Sequence, residues 1–284
     1  MSTPPTRTLQ SDETPQDIAR KGYNAHAQEY LDWTTSKPSS RLTYLNKVLA
    51  LLQPDSSATD GPHPPTSPPS PVHKVLELGC GAGIPVTLHL AQLPQIAHVT
   101  AVDISSTQLE MLRSNLVSIL ATEVSAAKTI AEKVELVEAD MLELAFEEAS
   151  FSAVTAFFSI IHLPREDQRT MVQRIFGWLR PGGYLLANFG AQSDDDKKAV
   201  AEQGNVSEVA AERTGEQDGQ ALKTGSVTKN WLGMTAYWDS FGPERTKEVL
   251  REAGFEVVVA DIVEEVEDAV FLWVIARKPL ASSS

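Results

Sequence analysis

The stretch Val75-Leu76-Glu77-Leu78-Gly79-Cys80-Gly81-Ala82-Gly83-Ile84 constrains this chain more than any other. A short apolar run ends in an acid, three alternate glycines follow, and an apolar-periodic segment then begins. Such a pattern reads as a buried parallel strand entering a tight turn that opens into a helix. Glycines at 79, 81 and 83 let the backbone take positive φ and approach a ligand closely, while the free N–H groups of the helix start suit polar or anionic groups. A cofactor site is the expectation, and its chemistry has to come from the rest of the chain.

Two nucleotide readings fail on spacing. A nicotinamide fingerprint needs G-x-G-x-x-G, and counting from Gly79 puts Ile84 where the third glycine belongs. A P-loop needs Gly-Lys-Ser/Thr after the turn, which is absent. Beyond the turn, strand and helix alternate: a helix over about 84–93, a strand over 98–103, a helix carrying Leu109, Leu112, Leu116 and Ile119 on one face, a strand nearer a sheet edge over 134–140, a buried strand over 151–158, and a helix over 165–179. Pro181-Gly182-Gly183 turns the chain into the strand 184–189, and a helix over about 244–253 precedes two closing strands. Alternation of this kind predicts an α/β fold: a Rossmann-like, doubly wound, mostly parallel sheet of seven strands with helices on both faces and ligands at the carboxyl ends of the strands.

Ahead of the sheet, Thr14-Pro15 reads as an N-cap and first helical residue of a segment carrying Ile18, Tyr23, Tyr30 and Trp33, which Gly22 is expected to divide. These aromatics either pack on the main domain or cover a ligand. A helix over 41–52 should lie against the sheet. The expected organisation is a tail at 1–13, an N-terminal helical lid at 14–52, a proline-rich flexible loop at 53–73, a cofactor-binding core at 74–190, an insertion and substrate-covering segment at 191–242, the rest of the core sheet at 243–279 and a tail at 280–284.

Composition narrows the ligands. A formal charge of −14 argues against a surface built to neutralise phosphates, so the expected partner is a small molecule and not a nucleic acid. Cys80 is the single cysteine and the six histidines are scattered, so no metal is expected. The first thirty residues lack an apolar signal core and no run approaches the ~18 apolar residues of a membrane span, which predicts a cytoplasmic chain without a membrane partner. Oligomeric state is left open.

With Glu77-x-Gly79-x-Gly81-x-Gly83 followed by Asp103 at the next strand end and Asp140-Met141 after the third strand, the chain resembles the class I S-adenosylmethionine-dependent methyltransferases. Ser159-Ile160-Ile161-His162-Leu163-Pro164-Arg165-Glu166 and the Trp231-Leu232-Gly233-Met234-x-x-Tyr237-Trp238 stretch resemble a small-molecule subgroup of that family, and Leu179-x-Pro181-Gly182-Gly183 matches a structural turn in it. The resemblance implies S-adenosyl-L-methionine as cofactor and S-adenosyl-L-homocysteine as product. It places Tyr23, Glu77, Gly79, Cys80, Gly81, Gly83, Asp103, Ile104, Asp140, Met141 and Phe157 at the cofactor, and Phe158, His162, Trp231, Met234, Tyr237 and Trp238 at the acceptor. Carboxylate oxygens accept vicinal ribose hydroxyls well, although Asp103 could instead cap the helix that follows it. Asp140 reads as an acceptor for the adenine amino group or as a turn-former. His162 is the candidate general base, or else a histidine that fixes a loop through a backbone hydrogen bond. The expected activity is in-line methyl transfer to an O-, N- or S-nucleophile of a metabolite. The alternatives are a cofactor-binding regulatory or partner protein without methyl transfer, and a sulfonium-assisted cyclase.

Overall fold

The computed structural model describes residues 13–52, 72–120, 132–191, 226–265 and 269–281. Residues 53–71 of the proline-rich loop and 192–225 of the 191–242 insertion lie outside the described residues; His73, placed in the loop by the sequence, already opens the first strand. Three helices come first, α1 (Pro15–Ala25), α2 (Ala27–Thr35) and α3 (Arg41–Leu51), followed by β1 (His73–Leu78), α4 (Val86–Gln92), β2 (Ile96–Asp103), α5 (Ser106–Leu120) and β3 (Val134–Glu138). Then come β4 (Phe151–Ala156), α6 (Arg165–Trp178), β5 (Leu179–Gly190), the pair β6 (Ser226–Trp231) and β7 (Met234–Trp238), α7 (Pro243–Glu252), β8 (Glu256–Glu264) and β9 (Val270–Arg277).

Seven strands form one sheet in the order β3-β2-β1-β4-β5-β9-β8. Neighbours from β3 to β5 pair in parallel, and β9 runs antiparallel to both of its partners. The fold is therefore the Rossmann-like α/β architecture expected from the alternation. The chain leaves β1 towards β3 on one side and returns to β4 on the other, so a crevice opens at the carboxyl ends of β1 and β4, where open α/β sheets bind ligands.

Alternate residues of each strand feed two cores. Leu76, Leu78, Val154 and Leu185 pack with Met171, Val172 and Ile175 of α6 and Val249 and Leu250 of α7. On the opposite face Val75, Val99, Ala153 and Leu186 pack with Leu45, Val48 and Leu49 of α3 and Leu90 of α4. Tyr44 of α3 stacks on Trp273 of β9 with ring centroids 4.6 Å apart, so α3 lies against the sheet as its apolar face predicts. Burial on both faces explains why β4, buried at every position, reads as an unbroken apolar run. At the sheet's edge β3 keeps Glu135 and Glu138 exposed.

α1 begins at the expected cap: the Thr14 hydroxyl accepts from the Asp17 N–H and the Asp17 carboxylate accepts from the Thr14 N–H. Gly22 does not divide the segment. α1 runs through it, the break comes at His26, and Gly22 is instead where β7 comes close, since a Cβ there would sit 2.9 Å from Met234 Sδ. The bulky 231–241 stretch, read from sequence as a covering segment, contributes to the β6–β7 hairpin, outside the main sheet. No helix among the described residues is long and apolar enough to cross a membrane.

Candidate active site

The glycine turn is tied to its neighbours by backbone bonds. The N–H groups of Gly79 and Cys80 both donate to the Val102 carbonyl, at 2.8 and 2.9 Å. Two of its glycines are required by packing as well as by positive φ: a Cβ on Gly79 would lie 2.4 Å from Ser159 Cβ, and one on Gly83 would lie 2.1 Å from Leu112 Cδ1. The turn can therefore sit against the segment after β4 and against α5 only without side chains at those points.

Three acids converge on the cavity at these strand ends. Glu77, near the end of β1, is 3% exposed, and its Oε2 accepts from the Thr87 hydroxyl at 2.6 Å. Burial outweighs that bond and pushes its carboxyl up to about 8. Asp103, ending β2, accepts from the Gly81 N–H at 2.8 Å and from the Ser105 N–H at 2.9 Å. Its carboxyl is likewise raised by burial, against the pull of those two backbone donors. Asp103 thus holds the turn and the start of α5 together, and each oxygen keeps a lone pair for a ligand. Asp140 caps a short 3-10 turn, Met141–Glu143, by accepting from the Leu142 N–H at 2.9 Å. The turn-forming alternative is realised at Asp140, whereas α5 is capped by Ser105, whose Oγ accepts from the Gln108 N–H at 3.2 Å, and not by Asp103; both acids also line the cavity.

The cavity is a partly open cleft lined by the glycine turn, the ends of β2 and β4, and α1 and α2. Its wall includes Tyr23, Glu77, Gly79, Cys80, Gly81, Asp103, Ile104, Asp140, Met141 and Phe157, which is every expected cofactor position except Gly83. Gly83 stands behind the wall against Leu112 and Thr87. Phe158 and His162 also line it. Phe158 has φ of +53°, rare for an aromatic residue, and its N–H donates to Asn188 Oδ1 at 2.6 Å.

His162 is held from two sides. Its Nδ1 lies 2.9 Å from the Tyr237 carbonyl oxygen and its Nε2 lies 3.0 Å from the Tyr23 hydroxyl. A carbonyl can only accept, so Nδ1 carries the proton, and Nε2 then accepts from Tyr23. Burial pulls the imidazole down to about 4, leaving it neutral at physiological pH. The Tyr23 ring stands edge-on to Tyr30, 5.0 Å between centroids, and burial raises both phenols above their usual range.

Trp231, Met234, Tyr237 and Trp238 are absent from the cavity wall and form the layer behind it. Trp238 packs on His162 at 4.5 Å, Trp231 lies 6.1 Å from Tyr30, Met234 meets α1 at Gly22, and Tyr237 supplies the carbonyl that orients His162. Sequence reasoning did not assign Arg41, Gln108, Leu31 or Leu163, all on the wall. Gln108 is 1% exposed and neither atom of its amide has a hydrogen-bond partner; its Oε1 faces Gly81, 3.6 Å from where a Cβ would stand. An amide buried without partners is costly, which marks a place where a ligand's polar groups fit. A polar residue inside the α5 apolar face, between Ser105 and Leu109, was the available signal.

Residues 75–183 match the model of a methyltransferase domain family. The carboxy-S-adenosyl-L-methionine synthase of Aeromonas salmonicida is 34% identical over 127 residues, covering 44% of this chain and 47% of that protein. Methyltransferase GfsG of Streptomyces halstedii is 34% identical over 130 residues, 45% of this chain and 42% of that protein. The chain thus matches less than half the length of these relatives. Among solved structures, magnesium protoporphyrin IX methyltransferase from Synechocystis PCC 6803 superposes with a TM-score of 0.57 at 14% identity, covering 93% of this chain and 99% of that one, a likeness of fold.

Proposed function

We propose, from the methyltransferase domain over residues 75–183, that this chain is an S-adenosyl-L-methionine-dependent methyltransferase acting on a small-molecule acceptor. The observation that carries this reading is the convergence of Glu77, Asp103 and Asp140 on one cavity that continues to Tyr23, Phe158 and His162. The wall fits the cofactor group by group: Glu77 suits an ammonium, Asp103 a pair of ribose hydroxyls, Asp140 with Met141 an adenine ring and its amino group, and the unpartnered Gln108 amide a further polar contact. When bound, this cofactor supplies a methyl group activated on a sulfonium.

The chain's own residues then align the acceptor, exclude water and handle one proton. Phe157, Phe158 and Leu163 present apolar surface, which strips water from an acceptor lying beside them. The Tyr23 hydroxyl donates to His162 Nε2, which turns its oxygen lone pairs away from the imidazole. A proton leaving the acceptor reaches the Tyr23 oxygen while the Tyr23 proton moves to Nε2, and Nδ1–H stays on the Tyr237 carbonyl. His162 is a weak base in this setting, so the site suits an acceptor that is already a good nucleophile, such as a neutral amine or an acidic hydroxyl. Trp231, Met234, Tyr237 and Trp238 act from behind, by fixing His162 and the two tyrosines.

Calorimetry with S-adenosyl-L-homocysteine and transfer of labelled methyl into fractions of a metabolite extract test the reading. The native protein is expected to bind the nucleoside at micromolar concentration and to label a small-molecule fraction; Asp103→Ala should bind at least tenfold more weakly. For a proton relay, Tyr23→Phe and His162→Gln should lower kcat by about 10²–10⁴ with little change in nucleoside affinity. Binding without label in any fraction would instead support a non-methylating binding protein, and a converted product without added methyl mass would support a cyclase.

A further inference from the structure

Among the described residues that line the cavity, the acids are Glu77, Asp103 and Asp140, and the one permanent cation is Arg41. No carboxylate among the described residues pairs with that guanidinium. Arg41 is the first residue of α3, whose first turn holds no acid, and the positive end of the helix dipole disfavours a cation at that position. Its Nε donates to Ser39 Oγ at 2.8 Å and its Nη1 to the Ile84 carbonyl at 3.4 Å, both neutral acceptors. Glu77, near the end of β1, is hydrogen-bonded by Thr87 and meets the Arg41 charge only through space, and no carboxylate among the described residues lies within ion-pair distance of Arg41. The guanidinium carbon stands 6.0 Å from the Phe158 ring centroid, so the charge lies at the cavity's β1–β4 side.

We propose that Arg41 is a carboxylate anchor of this cavity. Ser39 and the Ile84 carbonyl hold the stem side of the guanidinium, and Nη2, which bonds no described residue, is left for an anion. A guanidinium fork matches the two oxygens of a carboxylate, and a charged pair away from bulk water is stronger than its surface counterpart. The carboxylate has two possible sources: the α-carboxylate of the cofactor, which rests on the methyl-donor reading above, or a carboxylate on the acceptor beside Phe158.

Calorimetry on the full chain separates them, using S-adenosyl-L-homocysteine, its decarboxylated analogue S-adenosyl-3-thiopropylamine, and benzoate added to the nucleoside-loaded protein. If the cofactor's carboxylate is held, the native protein binds S-adenosyl-L-homocysteine at least tenfold tighter than the analogue. Arg41→Gln then removes the difference and leaves the analogue's affinity unchanged, which also reports that the variant is folded. Should the acceptor's carboxylate be held, the two nucleosides bind alike, and benzoate binds the native protein at least tenfold tighter than Arg41→Gln. Arg41→Lys, which keeps the charge but not the fork, should retain part of either preference. Native protein that shows neither preference, or Arg41→Gln that keeps whichever one the native protein shows, overturns the proposal. Failure of both nucleosides to bind would sink the methyl-donor reading instead, and benzoate on the unloaded native and variant proteins would still decide Arg41.

Discussion

Burial holds the Glu77 carboxyl up at about 8 and the His162 imidazole down at about 4, and the two act oppositely on stability. Folded Glu77 keeps a proton that the unfolded chain releases, so its contribution is full below the ordinary value of 4.5 and is lost as pH rises towards about 8. Folded His162 stays neutral while the unfolded chain takes up a proton below the ordinary 6.5, so stability is lost as pH falls from 6.5 towards about 4. Between those ordinary values the two offset each other; above 6.5 only Glu77 acts of this pair. The ligand-free protein should lose about 2 kcal/mol between pH 6.5 and 8 through this group, and Glu77→Gln should flatten that slope in urea melts at the two pH values. The glycines separate in the same way. Gly83→Ala meets Leu112 at 2.1 Å with φ at +78°, and should cost roughly 1–3 kcal/mol or more in stability. Gly81→Ala has its nearest neighbour at 3.6 Å and should lose about 1–2 kcal/mol for its positive φ alone, but more than tenfold in nucleoside affinity, because Gly81 lines the cavity.

At the level of elements, the run from Ser159 to Glu166 acts as a clamp on the β6–β7 hairpin. The Ser159 hydroxyl donates to the Leu78 carbonyl at 2.7 Å, fixing this run to the glycine turn. The Asp239 N–H donates to the Ile161 carbonyl, and the Asp239 carboxylate, fully buried, accepts from the Arg165 N–H and Nε at 3.0 and 2.8 Å. Gln168 Nε2 donates to the carbonyls of both Leu163 and Asp239. Removing one member of a buried pair leaves the other uncompensated, so Asp239→Ala should cost about 3–5 kcal/mol. Amide exchange should then rise across 226–238 before it rises in β1 or β4. The motif was visible in sequence, but its task as a clamp was not, since the partners of Ile161, His162 and Arg165 are Tyr237 of the hairpin and Asp239 just after it, more than seventy residues away. The hairpin itself escaped a strand reading because it is apolar on more than one side: Met234 faces α1, while Trp231 and Trp238 pack on each other at 5.1 Å. The β-alternation that marks a strand with one wet face was therefore lost.

Taken whole, the molecule is a doubly wound sheet whose crevice is roofed by α1 and α2. Asn24 Oδ1 accepts from the Ser105 hydroxyl at 2.7 Å and the Thr107 N–H at 3.3 Å, pinning the roof to the start of α5, and Tyr23 pins it to His162. These bonds hold the roof over the cleft, so Asn24→Ala should speed dissociation of S-adenosyl-L-homocysteine several-fold in stopped-flow traces, at a stability cost of about 1 kcal/mol. The sequence by itself determined the alternation of strands and helices, the glycine turn, and the acids at the ends of β1 and β2 and after β3. Each of these is a local matter of apolar period, backbone conformation or spacing. Only the tertiary structure decided that Arg41 and Gln108 share a wall with Glu77 and Asp103, that Gly83 stands behind that wall, and that Trp231, Met234, Tyr237 and Trp238 buttress the site from outside it. Those placements follow from how crossover helices and a hairpin pack on a twisted sheet. Packing joins residues tens to hundreds of positions apart, and no periodicity within one segment records it.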